Sequence, residues 1–335
     1  MIGGAGRLRL SVLDQSVISS GSTAHTALKN TAALAQITEE LGFERFWVAE
    51  HHNANGIAGT SPEVLISHLA AKTKRIKVGS GGVLLPQYSP YKVAENFKVL
   101  EALYPNRIDL GIGRSPGGSP ETRLALTDGI RKSLNEFPRQ VQDLQKFIVG
   151  NQQDKHTVTA YPVHESFPEM WMLGVSHRGA RLAAELGLAF TFGHFIAPLN
   201  GRRAMDYYYK YFQPSVHASK PKANICTFVI CADTTEKAEQ MAASLDLWLL
   251  ALGKGEANAE ILSPEQVNRK VLSPDDKKAI KENRRRMIIG TKETVRSELL
   301  RLSELYNTEE FMVLTNVYEF EDKVRSYELL AEIDF

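Results

Sequence analysis

Eight short apolar segments alternate with longer amphipathic segments along the 335 residues, and this alternation is the strongest constraint on the fold. The apolar segments have the length and composition of buried strands, and the segments between them have helical spacing. Strict alternation favours parallel strands that are joined by crossover helices. Eight such units predict an α/β fold, a (β/α)8 TIM barrel with insertions, as one domain over residues 1–335.

The predicted strands cover residues 8–13, 45–49, 76–85, 107–112, 170–173, 188–192, 223–231 and 310–314. A doubly wound open sheet is the competing fold. We disfavour it because no glycine-rich nucleotide turn follows the first strand. Gly111 and Gly113 follow the fourth strand, but no third glycine completes a dinucleotide-binding fingerprint.

Two segments do not fit the alternation. Residues 150–168 carry polar residues and short β-like pieces, and we interpret them as an insertion. Residues 252–286 are long, charged and poorly periodic, with Ser263-Pro264 and Ser273-Pro274 as possible helix starts. A connection of this length inside a compact domain is usually functional or mobile. Its basic run, Arg284 to Arg286, is more typical of a solvated helix face than of a nucleic-acid site.

Composition narrows the functional classes. A net charge of +1 provides no general field that would steer the protein toward nucleic acid or membrane. No apolar span is long enough to cross a bilayer, and residues 1–6 lack the charged and apolar regions of a signal peptide. Cys226 and Cys231 are five residues apart in one predicted strand, so they face opposite sides and do not pair. These features predict a protein of the reducing cytoplasm.

The second strand ends abruptly in the polar residues Glu50, His51, His52 and Asn53. In parallel α/β folds, functional sites lie at the carboxyl ends of the strands. A histidine there could act as a general base or as a hydrogen-bond donor near neutral pH. Adjacent histidines in an extended segment point apart, which is poor geometry for a shared metal ion. No zinc spacing, Walker loop or Ser-His-Asp arrangement occurs, so we expect no metal site.

On a barrel, the other strand ends converge on the same mouth. Ser176 begins a helix that also contains Gly179, and the free amides of a helix start favour phosphate. Arg114 across the mouth could pair with the same phosphate, although a simple N-cap role for Ser176 remains open. Gly81 and Gly82 interrupt an apolar strand and would let a flat ring approach the backbone. The converging polar residues that we assign to a substrate pocket are Asp14, Glu50, Asn53 and His194.

Four segments together resemble the bacterial luciferase-like flavin monooxygenases across nearly the whole chain. They are residues 48–53 (VAEHHN), 78–86 (VGSGGVLLP), 107–114 (RIDLGIGR) and the stretch from Ser176 to Leu188. The family fold is a (β/α)8 barrel with inserted segments, which agrees with the strand count. The resemblance is to single-subunit members, whose substrate the sequence does not identify.

The resemblance implies roles for individual residues. His51 matches the family's catalytic histidine, which assists chemistry at the C4a position of the flavin. Gly81 and Gly82 match a pair that is joined by a non-proline cis peptide bond behind the isoalloxazine ring. Residues 252–286 match a mobile lid, which would exclude water from the reacting flavin.

The resemblance also implies the remaining cofactor contacts. Arg114 and Ser176 match ligands of the flavin phosphate, at the helix start that contains Gly179. The backbone that borders the flavin ring is matched by Leu173, Gly174 and Val175. The sequence departs from the light-emitting subunit, which has a cysteine in place of Gly113 and a tryptophan in place of His194. These departures predict a smaller, more polar pocket floor and argue against a long-chain aldehyde substrate.

The function implied is a two-component monooxygenase. Reduced flavin mononucleotide (FMN) would come from a separate reductase, and O2 would form a C4a-peroxyflavin that oxygenates a small organic substrate. The lack of a nicotinamide fingerprint fits this division. Two alternatives remain: hydride transfer with a deazaflavin, and a non-catalytic flavin-binding protein, against which His51 argues. The family and the apolar faces of the early helices predict a homodimer, to which a tyrosine-rich helix at residues 200–212 would contribute.

Overall fold

The computed structural model describes residues 8–115, 117–150, 158–256 and 258–335, and within these ranges nine parallel strands form one sheet. The strands are β1 (Arg9–Asp14), β2 (Arg45–Val48), β3 (Lys77–Val83), β4 (Ile108–Ile112), β5 (Glu169–Gly174), β6 (Ala189–Gly193), β7 (Ala223–Cys231), β8 (Met287–Gly290) and β9 (Glu310–Leu314). Eight of them close into a barrel, because β6 pairs with β7 while β9 pairs with both β7 and β1. This closure confirms the predicted (β/α)8 barrel.

Helices connect the strands and cover the outside of the barrel. They are α1 (Ala24–Glu40), α2 (Pro62–Lys72), α3 (Pro90–Leu103), α4 (Pro120–Leu126), α5 (Phe137–Val149), α6 (His177–Glu185), α7 (Gly201–Tyr211), α8 (Thr235–Gly253), α9 (Pro264–Asn268), α10 (Pro274–Asn283), α11 (Lys292–Tyr306) and α12 (Phe320–Ala331). Proline occupies the first turn of several of these helices, where its missing N–H has no intrahelical partner to lose. Between β4 and β5, residues 127–136 connect α4 to α5.

Strand β8 lies outside the barrel and was not predicted. Its residues pair with the second half of β7, while β6 pairs with the first half. The strand has four residues and directly follows the arginine run, so its apolar pattern is too short to recognise. Its effect is to extend the sheet beside the barrel.

The segment 252–286 differs from the expected irregular loop. It contains α9 and α10, and each begins with a capping box, in which Ser263 or Ser273 exchanges hydrogen bonds with the residue three positions later. Both Ser-Pro helix starts are therefore confirmed. The segment is also attached to the barrel, because the Ile261 amide donates to the Ile18 carbonyl over 3.3 Å.

The arginine run is engaged in ion pairs. Arg284 contacts Asp246 on α8 at 2.6 Å and Glu239 at 3.0 Å. Arg285 pairs with Glu282 on the preceding turn. This arrangement fits the interpretation of the run as a surface helix face, and the guanidinium of Arg284 is held in ion pairs with α8.

The described part of the predicted insertion, residues 158–168, forms neither helix nor strand, and residues 151–157 lie outside the described ranges. The Tyr91 hydroxyl donates to the Thr159 carbonyl over 3.3 Å, which attaches this stretch to α3.

On α7, Tyr208 is buried and its hydroxyl donates to the Leu188 carbonyl over 2.8 Å. That part of the tyrosine-rich face therefore packs within the same subunit.

The amino-terminal end of the barrel is filled by a buried ionic cluster. Arg45 donates to Asp109 over 2.8 Å and to Glu310 over 2.7 Å, and all three side chains are fully buried. Above this layer the rings of Trp47 and Trp171 pack edge to face, with centroids 5.4 Å apart. These layers close the barrel from below, so open interior space lies toward the carboxyl ends of the strands.

Candidate functional site

A cavity of about 1040 Å³ opens at the carboxyl ends of the barrel strands. This volume lies at the upper end of the range for ligand and cofactor sites. The residues predicted for catalysis and cofactor binding all line it: His51, Gly81, Gly82, Arg114, Leu173, Gly174, Val175, Ser176 and Gly179. The structure therefore brings together residues that are up to 128 positions apart, from His51 to Gly179.

His51 follows β2 and lies in the wall of the cavity. Its backbone amide donates to the Gly59 carbonyl over 2.9 Å, which fixes the loop. Its Nε2 atom is 3.4 Å from the side-chain nitrogen of Gln15, and its Nδ1 atom is buried without a protein partner among the described residues. Burial, assisted by the nearby charge of His52, lowers the pKa of His51 to about 4. The imidazole is therefore neutral at physiological pH.

Glu50 also lines the cavity, but its oxygens are occupied by protein groups. It accepts from the Leu84 amide over 2.8 Å and from the Tyr88 hydroxyl over 2.5 Å, and it lies 2.7 Å from His52 Nε2. Burial raises the pKa of Glu50. Burial also raises the pKa of Tyr88, and the hydrogen-bonded Glu50 carboxyl adds to that effect. Glu50 thus ties the end of β2 to the segment after β3, and it is less free to bind substrate than expected.

Strand β3 forms a flat side of the cavity. The peptide bond between Gly81 and Gly82 is cis, as the family resemblance implied. A Cβ atom on Gly82 would lie 2.7 Å from the Gly111 carbonyl oxygen, and one on Gly81 would lie 2.5 Å from Leu13 Cδ1. Both separations are shorter than real Cβ contacts, so the packing of β3 against β1 and β4 requires glycine here. No side chain then projects from these two positions.

Helix α6 follows β5, and residues at its amino-terminal end line the cavity. Ser176 is the N-cap residue, yet its hydroxyl makes no capping hydrogen bond and is free for a ligand. Gly174 and Gly179 approach closely, because a Cβ on Gly179 would meet Gly174 Cα at 3.3 Å. Arg114 and Arg178 also line the cavity, Arg178 in the first turn of α6, and neither has an ionic partner in the described part of the chain. This set of donors suits an anion.

The deep part of the cavity is apolar. It is lined by Leu13, Trp47, Met172, Cys226 and Met312, which project inward from five strands. The sequence does not distinguish these positions from the core, because apolar residues within a strand look the same whether they fill a core or border a cavity. That the floor is more polar than in the light-emitting subunit stays a prediction. Gly113 does line the cavity, and a Cβ there would meet open space.

Asp14 lies outside the cavity, contrary to prediction. Its neighbours Leu13 and Gln15 line the cavity, so the alternation of side chains along β1 directs Asp14 to the outer face. There it forms an ion pair with Lys323 of α12 and accepts from the Thr31 hydroxyl of α1 over 3.0 Å. Asp14 is a structural contact between the barrel and these two helices.

Asn53 and His194 also fall outside the substrate pocket. Asn53 is exposed and has a left-handed backbone conformation, with a φ of 52° that places it in a turn. His194 follows Gly193, which lines the cavity, and it points the other way. Its Nδ1 atom is 2.7 Å from the Tyr306 hydroxyl of α11, and burial lowers its pKa to about 4. The substrate-pocket assignment is corrected for both residues.

The described ranges contain neither a metal-binding cluster nor a membrane-spanning helix. No group of three or more His, Cys, Asp or Glu side chains there could hold a metal ion. No helix there is long and apolar enough to cross a membrane. Both cysteines are unpaired: Cys226 faces the cavity, while Cys231 packs in the outer core layer.

Comparison with known proteins adds independent information. A sequence model of the luciferase-like monooxygenases matches residues 8–309. The chain is 51% identical over 329 residues to the uncharacterized protein YceB of Bacillus subtilis, covering 97% of this chain and 99% of that protein. It is 38% identical over 336 residues to the N-acetyl-S-alkylcysteine monooxygenase of the same organism, covering 97% and 98%. The solved structure of apo-MsnO8 superposes with a TM-score of 0.90 at 34% identity, covering 98% of each chain.

Proposed function

The chain belongs to the luciferase-like monooxygenase family, and on this basis we propose that it is the oxygenating component of a two-component monooxygenase. It takes reduced FMN from a separate reductase and uses O2 to oxygenate a small organic substrate. One observation carries the proposal. A single cavity contains a neutral histidine, a flat glycine wall and an unpaired arginine next to a helix start.

The phosphate of FMN is held at the amino-terminal end of α6. The free Ser176 hydroxyl and the first backbone amides of the helix donate to it, and Arg114 and Arg178 supply positive charge. The close contact between Gly174 and Gly179 keeps the helix start near β5. A charged hydrogen bond contributes about 1.5–3 kcal/mol, so the phosphate is a substantial part of cofactor affinity.

Two stretches of the cavity wall would suit the flat isoalloxazine ring. Gly81 and Gly82 provide one wall, because neither position has a side chain. The stretch from Leu173 to Val175 provides the other, at the end of β5. The residues present therefore fit the ring and the phosphate of one FMN molecule.

The bound reduced flavin supplies the activation of O2 at its C4a carbon. The protein supplies binding, proton handling and exclusion of water. His51 is neutral and can accept a proton at the reacting centre. The apolar deep part of the cavity holds the hydrophobic portion of the substrate and keeps water away from the reaction.

A separate reductase is part of the proposal. The sequence has no complete nicotinamide fingerprint, which fits reducing equivalents that arrive with the flavin. We also propose a homodimer of the cytoplasm. Val64 on α2 and Val99 and Leu103 on α3 are between 46% and 69% exposed on neighbouring helices, which suits a self-complementary apolar contact.

Segment 252–286 is proposed to act as a lid. It is attached to the loop after β1 through Ile261 and Ser20, and that loop follows the cavity-lining residue Gln15. None of its described residues lines the cavity in this conformation. Closure would therefore require a rearrangement when flavin or substrate binds.

The test is oxygen incorporation from ¹⁸O2. The protein is supplied with photoreduced FMN and a substrate panel that includes N-acetyl-S-alkylcysteines, because a relative that is 38% identical carries that name. One ¹⁸O atom in a product supports the proposal. Oxidation of a substrate by oxidised deazaflavin, or reduction of a substrate by reduced deazaflavin, in either case without ¹⁸O in the product, would favour the hydride-transfer alternative. Tight FMN binding without any product across the panel would favour a non-catalytic flavin-binding protein.

A further inference from the structure

Three polar side chains form a line at the ends of adjacent barrel strands. Asn316 follows β9, Gln15 follows β1 and His51 follows β2. The Asn316 side-chain amide donates to Gln15 Oε1 over 2.7 Å, and Gln15 Nε2 is 3.4 Å from His51 Nε2. Asn316 is fully buried and Gln15 is 6% exposed. Water therefore has little access to compete for the hydrogen bonds between these side chains.

The direction of the first hydrogen bond determines the second. Because Gln15 Oε1 accepts from Asn316, the NH2 group of Gln15 is the end that faces His51. An amide NH2 can only donate, and two N–H groups cannot point at each other. His51 Nε2 must therefore carry a lone pair, and the single proton of the neutral ring is on Nδ1.

The opposite orientation of both amides would reverse this assignment. Asn316 Oδ1 is buried and has no partner among the described residues. Reversal would place the Asn316 NH2 group, with two donors, at that position. In the observed orientation the protonated Nδ1 of His51 is also a buried donor without a partner among the described residues. Each orientation therefore leaves one donor group and one acceptor unpaired, and the assignment rests on the contact from Asn316 to Gln15.

We propose that Gln15 and Asn316 are positioning residues that hold His51 in the tautomer with an unprotonated Nε2. His51 then serves as a proton acceptor at this atom and not as a hydrogen-bond donor. The 3.4 Å contact is long for a hydrogen bond, so a ligand proton can replace the Gln15 amide at the lone pair. The role of His51 in turnover rests on the proposed function, whereas its tautomer does not.

The tautomer can be measured in the protein without flavin or substrate. Protein labelled with ¹⁵N in the histidine rings is examined by long-range ¹H–¹⁵N NMR near pH 7.5, and His51 is assigned by its loss in His51→Gln. The expected spectrum shows a protonated Nδ1 and an unprotonated Nε2. A preference of about 2- to 10-fold is expected from one hydrogen bond. A predominantly protonated Nε2 would overturn the proposal.

Two variants test the two positions separately. Gln15→Glu presents a carboxylate to Nε2, and a carboxylate only accepts, so Nε2 should become protonated. In Asn316→Asp, the new carboxylate should accept a hydrogen bond from the Gln15 amide and so turn Gln15 Oε1 toward His51. His51 Nε2 should then become protonated, although the substituted residue does not contact His51. Gln36→Glu is the matched control, because Gln36 is exposed on α1 and its side chain donates a hydrogen bond to the Lys72 carbonyl, away from the cavity.

Each outcome decides the proposal. Reversal of the His51 tautomer in both site variants, with the control unchanged, supports the positioning role of Gln15 and Asn316. An unprotonated Nε2 that persists in folded Gln15→Glu or Asn316→Asp protein overturns it. If either variant fails to fold, Gln15→Met removes the donor without adding charge, and the tautomer preference should then fall. A correct tautomer in a protein that oxygenates nothing would contradict only the proposed function.

Discussion

Acidification should leave His51 neutral well below the pH at which a free histidine becomes charged. The folded protein holds the pKa of this ring at about 4, mainly through burial, against an ordinary value of 6.5. The relevant perturbation is a change from about pH 7.5 to about pH 5. Over this interval an exposed histidine gains a proton, whereas His51 should not.

The expected magnitude follows from the two pKa values. At pH 5 a ring with a pKa of about 4 is charged in about one molecule in ten, while a pKa of 6.5 gives about 97% charged. The unfolded chain therefore binds the proton first, and the free energy of unfolding falls as the pH drops from about 6.5 toward 4. The loss attributable to His51 at pH 5 is about 2 kcal/mol.

Two assays measure this effect. NMR titration of the assigned His51 ring gives its midpoint directly. Urea unfolding of the parent and of His51→Gln at about pH 7.5 and pH 5 gives the stability difference, because glutamine does not titrate. The parent should lose about 2 kcal/mol more than the variant on acidification. His194 and His217, whose pKa values burial also lowers to about 4, contribute equally to both proteins and cancel.

A His51 midpoint near 6.5 would refute this description of the site. Equal acid sensitivity of the parent and His51→Gln would do the same. Either result would mean that the imidazole is charged near neutral pH. It could then serve as an acid or an anion ligand, which the buried geometry does not support.

Three other predictions concern binding and assembly. Arg114→Ala should weaken FMN about ten- to hundredfold in equilibrium titration but leave riboflavin nearly unaffected, and equal losses would contradict a phosphate role. Light scattering at micromolar concentration should give the mass of a dimer. The double substitution Val99→Lys and Leu103→Lys should reduce that mass toward a monomer, and a monomeric parent protein would exclude the interface. Limited proteolysis should cut first within residues 252–286, and FMN should slow this cleavage if the segment closes; cuts elsewhere, or no ligand effect, would argue against a lid.

The barrel could be predicted because its signal is repeated. Eight apolar runs, each followed by a helical pattern, leave few topologies, and one misplaced boundary does not change the count. Strand β8 and helices α9 and α10 carried weaker signals. Each is short, and their side chains are mostly exposed or half-buried, so neither periodicity nor hydrophobicity identifies them.

The site could be predicted only to the level of strand ends. The residues at these ends do converge, and His51, Arg114 and Ser176 line one cavity. Whether a particular side chain points inward depends on the phase of its strand, and a shift of one residue reverses it. Asp14 and His194 were assigned to the pocket for that reason, although their neighbours face the cavity.

The partners of polar groups were a further limit. The line from Asn316 through Gln15 to His51 joins residues that are 301 and 36 positions apart. No local pattern predicts such contacts, because they depend on the register between β9, β1 and β2. The apolar deep part of the cavity was missed for a related reason, since Trp47 and Met312 have the composition of an ordinary core.

The most direct test of the proposed monooxygenase function is the reaction of the FMN complex with oxygen. The protein is titrated anaerobically with reduced FMN, oxygen is admitted, and absorbance spectra are recorded over time. We expect stoichiometric binding, followed by a species distinct from both reduced and oxidised FMN that persists for seconds or longer and decays faster with substrate. Immediate formation of oxidised FMN, at the rate seen without protein, would contradict a monooxygenase.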